Sequence, residues 1–406
     1  MTFVSVLDVA GAGADDIADW TDVFQCAIQT AVSDGHAGVL VPARATPYEF
    51  TKPMTLNMSI DLRGRRNFSL TGEGPRSVLA MTGPGSWRLI HIGNDATDVV
   101  VRDLCLDGSK TTSADEQSHL IVIGASANLP RGARRISVID CTLQKSPGDG
   151  VAIVPESSND PRDEVSDITI SGCHFLANRR SGVSNQRQAQ RVSILHNRFV
   201  GTSDQDIDFE PTGDLRDSGP SGYLILGNTM VRTGGDVSVT LSGTTPESQS
   251  RVNTFAYNQI RGGRLGVHDA QDLTIVGNYI EAGRKLSGAV VLLSGAIERV
   301  LFADNSVVRP RTAPAGTLLN VTSESTDYAF PQATPRSPPA LTSRPTPCFT
   351  KGTGCRWAPG PCARRSVTAV RSLADSRSTA TTGRSGSTST TSGSRPPRRT
   401  WSTYKP

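Results

Sequence analysis

In SDQDIDFEPTG, residues 203–213, the carboxylates Asp206, Asp208 and Glu210 alternate with Ile207 and Phe209. In an extended segment alternate side chains take opposite faces, so the acids share one face and the apolar pair the other. Like charges so placed repel and raise one another's pKa. Such a row can be an acid–base pair, a cation site or a solvated surface. Two carboxyl groups of unequal pKa are what glycosidic hydrolysis needs, one to protonate the leaving oxygen and one to activate water.

The elements that would position these acids follow from an internal repeat. The pattern apolar, any, apolar, two residues, a small or amide residue, any, apolar appears as ISVIDCTL (136–143), ITISGCHF (168–175) and VSILHNRF (192–199). It returns as YLILGNTM, NTFAYNQI, LTIVGNYI and VLFADNSV, with a weaker early copy, VVVRDLCL (99–106). The key positions are Leu104, Cys141, Cys173, Asn197, Asn228, Asn258, Asn278 and Asn305, spaced 20 to 37 residues apart. Each copy is followed by a second short strand, such as DGVAIV, SGVSNQ, DIDFEP, DVSVTL or RLGVHD. No interval has room for a long helix, so the pattern predicts an all-β parallel solenoid. Stacked Asn residues, each with a donor and an acceptor, are expected to bond one another up the coil.

Stacking the second strands places Gly182, Asp206, Asp236 and Arg264 in one outward column. Ser184, Asp208, Ser238 and Gly266 form the next, and Gln186, Glu210, Thr240 and His268 the third. Asp206 and Asp208 would stand about 6.5–7 Å apart along the strand, and Asp206 and Asp236 about 5 Å apart across rungs. Inverting hydrolysis uses carboxyl groups about 6.5–9.5 Å apart. The expected catalytic residues are Asp206, Asp208 and Asp236, lining an open groove. Glu210, Arg264, His268 and Gln186 are expected to bind substrate. No residue is assigned to a metal, and Asp149, in GDG, reads as a turn residue.

The N-terminal stretch TDVFQCAIQTAV predicts a capping helix over about 21–33, with Val23, Phe24, Ala27, Ile28 and Ala31 on one face and Thr21 or Asp22 at its start. With the following VSDGHAGVLVPARATPYEF it resembles the opening of the pectate-lyase-like right-handed parallel β-helix superfamily, through Asp22, Ala27, Ile28, Gln29, Ala31 and Val39-x-Val41-Pro42 to Tyr48. The loop Ala43–Pro47 lacks the usual Gly. The resemblance implies a single-stranded right-handed parallel β-helix over residues 51–323, behind a cap and first strands in 1–50. It also implies a polysaccharide or oligosaccharide partner, but not one activity, because polygalacturonases, lyases, epimerases and tailspikes share that opening. The polygalacturonase and alginate-epimerase motifs are not intact here. Hydrolysis is the favoured reaction, and no cofactor is required. A lyase version would use Ca2+ held by Asp206, Asp208 and Asp236, with Arg264 as base. The alternative is a non-catalytic glycan-binding or tailspike-like structural protein, monomeric or homotrimeric.

Bulk composition narrows the classes. The net charge of +4 is unevenly spread: residues 331–406 hold 13 Lys and Arg against one acid, Asp375, so the first 330 residues are net acidic. The body shows no basic stripe for nucleic acid and no apolar window long enough for a membrane span. The start, MTFVSVLDVAGAGADD, does not read as a secretory signal. The default location is therefore cytoplasmic or virion-associated, and extracellular only by another export route. Cys26, Cys105, Cys141 and Cys173 read as small core residues. From Glu324 the repeat gives way to Pro/Ser/Thr/Arg-rich sequence, the composition of a disordered basic tail over 324–406. A change of reading frame in a GC-rich gene would leave the same bias.

Overall fold

The computed structural model describes residues 2–51, 58–83, 88–109, 115–124, 132–155, 164–186, 189–210, 221–232, 237–242, 253–310, 316–323 and 328–329. Short strands from successive coils pair in parallel and form three long sheets of 12, 10 and 10 strands. Each coil gives one strand to each sheet; Gln190–Leu195, Arg198–Val200 and Ile207–Glu210 make up one coil. Within each sheet every strand but the two at its ends thus bonds to the strands one coil before and after it. The two-residue periodicity produces this, because each strand turns one set of side chains inward to a single apolar core. Ile168, Ile170, Val192, Ile194, Ile207 and Phe209 are all fully buried. The Phe175 and Phe199 rings of adjacent coils stack at 4.6 Å.

The repeat's key position lies just after a sharp bend. The residue before it takes the left-handed conformation in every repeat, as Asp103, Asp140, Gly172, His196, Gly227, Tyr257, Gly277 and Asp304. The Asn side chains that follow are joined: Asn197 Nδ2 donates to Asn228 Oδ1 at 3.0 Å, Asn228 to Asn258 at 2.9 Å, Asn258 to Asn278 at 3.1 Å and Asn278 to Asn305 at 2.8 Å. Each also donates to an inward-turned carbonyl, such as Ile194 O from Asn228. Buried amides are thereby satisfied within the coil. At the earlier copies, Cys141 and Cys173 are buried and donate to carbonyls instead.

The N-terminal helix spans Thr21–Ser33 and buries Thr21, Phe24, Ala27, Ile28 and Ala31. Its start differs from expectation: Asp19, not Thr21 or Asp22, accepts from the Thr21 amide at 2.9 Å. Cys26 is exposed on the helix's outer side, so it is not a core residue. A strand at Val4–Ser5 and a short helix at Val6–Ala10 precede it, neither foreseen from sequence. Val4 and Ser5 pair with Val39 and Leu40, so this two-residue strand is itself the first edge of the 12-stranded sheet. The expected tail lies outside the described residues apart from Tyr328–Ala329.

Candidate functional site

Asp208 sits in the strand Ile207–Glu210, with Ile207 and Phe209 turned into the core, so the acids do face away from it. The expected pairing with the preceding coil holds: Ser184 lies opposite Asp208 and Gln186 opposite Glu210. The pairing with the following coil is displaced by two residues. Asp208 faces Thr240 and Phe209 faces Leu241, and the Asp206 amide bonds the Ser238 carbonyl. Asp206 therefore neighbours Ser238 rather than Asp236, and Asp236 itself lies outside the described residues. Beyond it, Val237 pairs with Arg264 and Val239 with Leu265, leaving Ser238 in a bulge. His268 consequently stands beside Ser242 and Ser294, not Thr240, and its Nδ1 is hydrogen-bonded by the Ser294 hydroxyl.

The open groove is also corrected. Asp206 and Asp208 are 0% and 1% exposed although they point outward. Neighbours in the same outward row, His91, Val122, Ala152 and Ser184, are buried too. Glu210 is the accessible member, with its side chain 37% exposed.

Burial sets the electrostatics. Desolvation raises Asp206 to about 6, opposed chiefly by the charge of Arg232, whose Nη1 lies 3.8 Å from it. The Thr202 and Ser238 hydroxyls flank this carboxyl, but none of the three reaches hydrogen-bonding geometry with another. Desolvation, then the nearby Glu210, raises Asp208 to about 8, with Arg180 pulling the other way. Among the described residues neither Asp208 oxygen has a hydrogen-bond partner.

Asp149, read from sequence as a turn residue, belongs to this cluster. It is fully buried, and it accepts from the Ser184 hydroxyl at 2.6 Å and the Ser181 amide at 2.9 Å. Its own amide donates to His119 Nδ1 at 3.0 Å. Burial drives His119 down to about 3, so the ring is neutral and that nitrogen acts as acceptor. Arg180 ties the cluster together, with Nη2 2.7 Å from Glu210 and Nη1 3.7 Å from Asp149. One usable signal lay in the sequence: Asp149 and Arg180 each stand just before a second strand, and Ser184 lies within one.

Among the described residues no three His, Cys, Asp or Glu side chains converge in a way that could hold a metal ion. Two carboxylates, Glu210 and Asp149, and the Arg180 guanidinium act on Asp208. Asp236, the third ligand of the lyase version, lies outside the described residues.

No protein-family model matches the chain. No curated protein matches it either. Solved structures do. The A-module of mannuronan C-5 epimerase AlgE4 from Azotobacter vinelandii aligns over 79% of this chain and 95% of its own, with 16% identity and a TM-score of 0.54. The AlgE6 A-module from the same organism aligns over 80% and 100%, with 15% identity and a TM-score of 0.53. The Dettilon tailspike protein aligns over 76% of this chain and 56% of its own, with 12% identity and a TM-score of 0.50. At these identities the likeness is one of fold: the chain is a right-handed parallel β-helix.

Proposed function

We propose that this β-helix acts on a polysaccharide and cleaves a glycosidic bond by hydrolysis at Asp206 and Asp208. The carrying observation is that two buried carboxyl groups, Asp208 in the strand and Asp206 at the bend just before it, are pushed to different pKa values, about 8 and about 6. Between those values Asp208 holds a proton and Asp206 does not, the division of labour that an acid–base pair needs. Two residues of extended chain separate their Cα atoms by about 6.5–7 Å, a spacing from which two carboxyl groups can take the separation used in inversion. Asp208 donates its proton to the leaving oxygen and Asp206 takes the proton of the attacking water. The Glu210–Arg180 pair, more accessible, orients the sugar. Two of the similar structures bear the name of an enzyme acting on mannuronan, which supports a polymeric saccharide as substrate.

The burial of Asp206 and Asp208 favours a second reading. Substrate must displace whatever closes this face before it meets either acid. A glycan-binding or tailspike-like structural protein would have no such requirement.

The test is to incubate the full chain with plant, algal and bacterial polysaccharides and assay reducing ends together with unsaturated products by ultraviolet absorbance. Reducing ends alone are expected. Unsaturated ends would mean elimination, and binding without either product would mean the second reading. A mass in solution distinguishes monomer from homotrimer.

A further inference from the structure

The sharp bend before the Asn positions carries an unusual residue. Tyr257 takes φ 53° there, a conformation that is strained for a bulky side chain. The neighbouring coils use Gly227 and Gly277 at the same place. Tyr257 is nevertheless 65% exposed, so its ring is not needed to fill the core. The ring is held in place: it fills the space a Cβ on Gly277 would take, with Cε1 and Cδ1 at 2.6 and 2.7 Å from that point. Two coils earlier, the exposed His196 ring lies over Gly227 in the same way.

Polar side chains follow Tyr257 on the strand Gln259–Arg261 and its neighbour. Gln259 and Arg261, both exposed, follow it on the same coil, and Arg261 Nη2 lies 3.4 Å from Gln259 Oε1. They pair with Tyr279 and Glu281 of the next coil, where the Tyr279 hydroxyl lies 3.1 Å from Glu281 Oε2. An exposed ring is thus followed, on its own coil and the next, by side chains that offer both donors and acceptors.

We infer that Tyr257, with Gln259, Arg261 and Tyr279, forms a second saccharide-binding surface, on a different sheet from the acids. A sugar ring has an apolar C–H face and a rim of hydroxyls. The face stacks on the Tyr257 ring and the rim bonds the amide, guanidinium and phenol. A docking protein would meet a single ring among charges rather than a continuous apolar patch. His196 stands about 10 Å away, two rungs along the coil, and offers a second contact to an extended chain. The inference rests on the proposal that the ligand is a saccharide, and it adds where a long polymer is gripped away from the acids.

The test compares the full chain with its Tyr257→Gly, Tyr257→Phe and Asp208→Asn variants in native gels containing xylan, dextran, laminarin, alginate or polygalacturonate. Gly is the residue that adjacent coils place here, so Tyr257→Gly removes the ring and relieves the positive φ. It is expected to melt no lower than the parent and to lose affinity for the retarding polymer by on the order of tenfold. Tyr257→Phe and Asp208→Asn keep most of the retardation. Parent-like retardation of Tyr257→Gly overturns this inference and leaves the proposed reaction standing. A change of solution mass in Tyr257→Gly without loss of retardation also overturns it, in favour of a contact between copies. Retardation of the parent by none of the five polymers overturns the inference and counts against a saccharide ligand altogether.

Discussion

Arg180 holds Glu210 at 2.7 Å with one guanidinium nitrogen while the other stands 3.7 Å from Asp149. The contacts reach across two turns of the coil, from the bend before Val183 to the buried Asp149 on one side and the accessible end of the Ile207–Glu210 strand on the other. One cation thus faces three acids, because it also acts on Asp208. That shared charge makes the site's pH behaviour testable.

Replacing Arg180 with Gln removes the charge that pulls Asp208 down. The general acid then holds its proton to higher pH. The alkaline limb of the kcat/KM profile is expected to move upward, and kcat/KM to fall because Glu210 loses its partner. An unmoved limb would take Asp208 out of the acid role.

Asp208→Asn is expected to abolish reducing-end release while leaving polysaccharide binding within about threefold of the parent. The amide is nearly isosteric but has no proton to give. Residual turnover near the parent rate would assign the chemistry elsewhere.

Stability should depend on pH with a sign set by the buried groups. Asp208, raised to about 8, holds a proton in the folded state that the unfolded chain releases near its ordinary value. The folded form binds more protons across that window, so stability falls as pH rises towards 8. Asp206 contributes in the same direction up to about 6. His119 and His91, lowered to about 3 and about 4, act oppositely: the unfolded chain gains their protons first, so stability falls as pH drops below the ordinary His value. Between about pH 4 and 6.5 the histidines oppose the aspartates, and above that they no longer oppose the Asp208 slope. Denaturant unfolding of the full chain should lose about 2 kcal/mol between pH 6.5 and 8, and Asp208→Asn should flatten that decline.

Asn228 accepts from both the amide and the side chain of Asn197 and donates to Asn258 and the Ile194 carbonyl. Asn228→Ala orphans several buried groups and should cost on the order of 3 kcal/mol. Asn305→Ala, at the partly buried end of the series, should cost about 1 kcal/mol. Equal costs in chemical denaturation would show that the bonds do not act along the stack.

The change of composition after Glu324 is testable in the DNA. Translation of the other two frames beyond that codon is expected to continue the apolar–any–apolar strand pattern. If neither does, the basic segment is native.

Much of the coil was legible because its evidence is local and repeated. The spacing of Val192, Ile194 and Phe199 around Asn197 is rewritten at each turn, and each copy checks the last. The position of the next coil over Asp206 was not legible. Val237, Val239 and Leu241 share one parity, so sliding that strand by two residues leaves the same side chains facing inward. The hydrophobic pattern cannot detect such a slip, and the Ser238 bulge carries no signature of its own. Asp149 was misread for a related reason: the sequence GDG describes its bend, whereas its partners Ser181, Ser184 and Arg180 arrive about thirty residues later, on the next turn.

The sequence by itself determined the parallel coil, its helical cap and the outward direction of Asp206, Asp208 and Glu210, since side-chain alternation follows from strand geometry alone. Only the tertiary structure decided that two of those acids are closed to water, that Ser238 rather than Asp236 stands beside Asp206, and that Arg180 faces them. Depth and register are set by distant segments meeting, and a carboxyl group's pKa follows from how much water remains around it rather than from its neighbours in the chain.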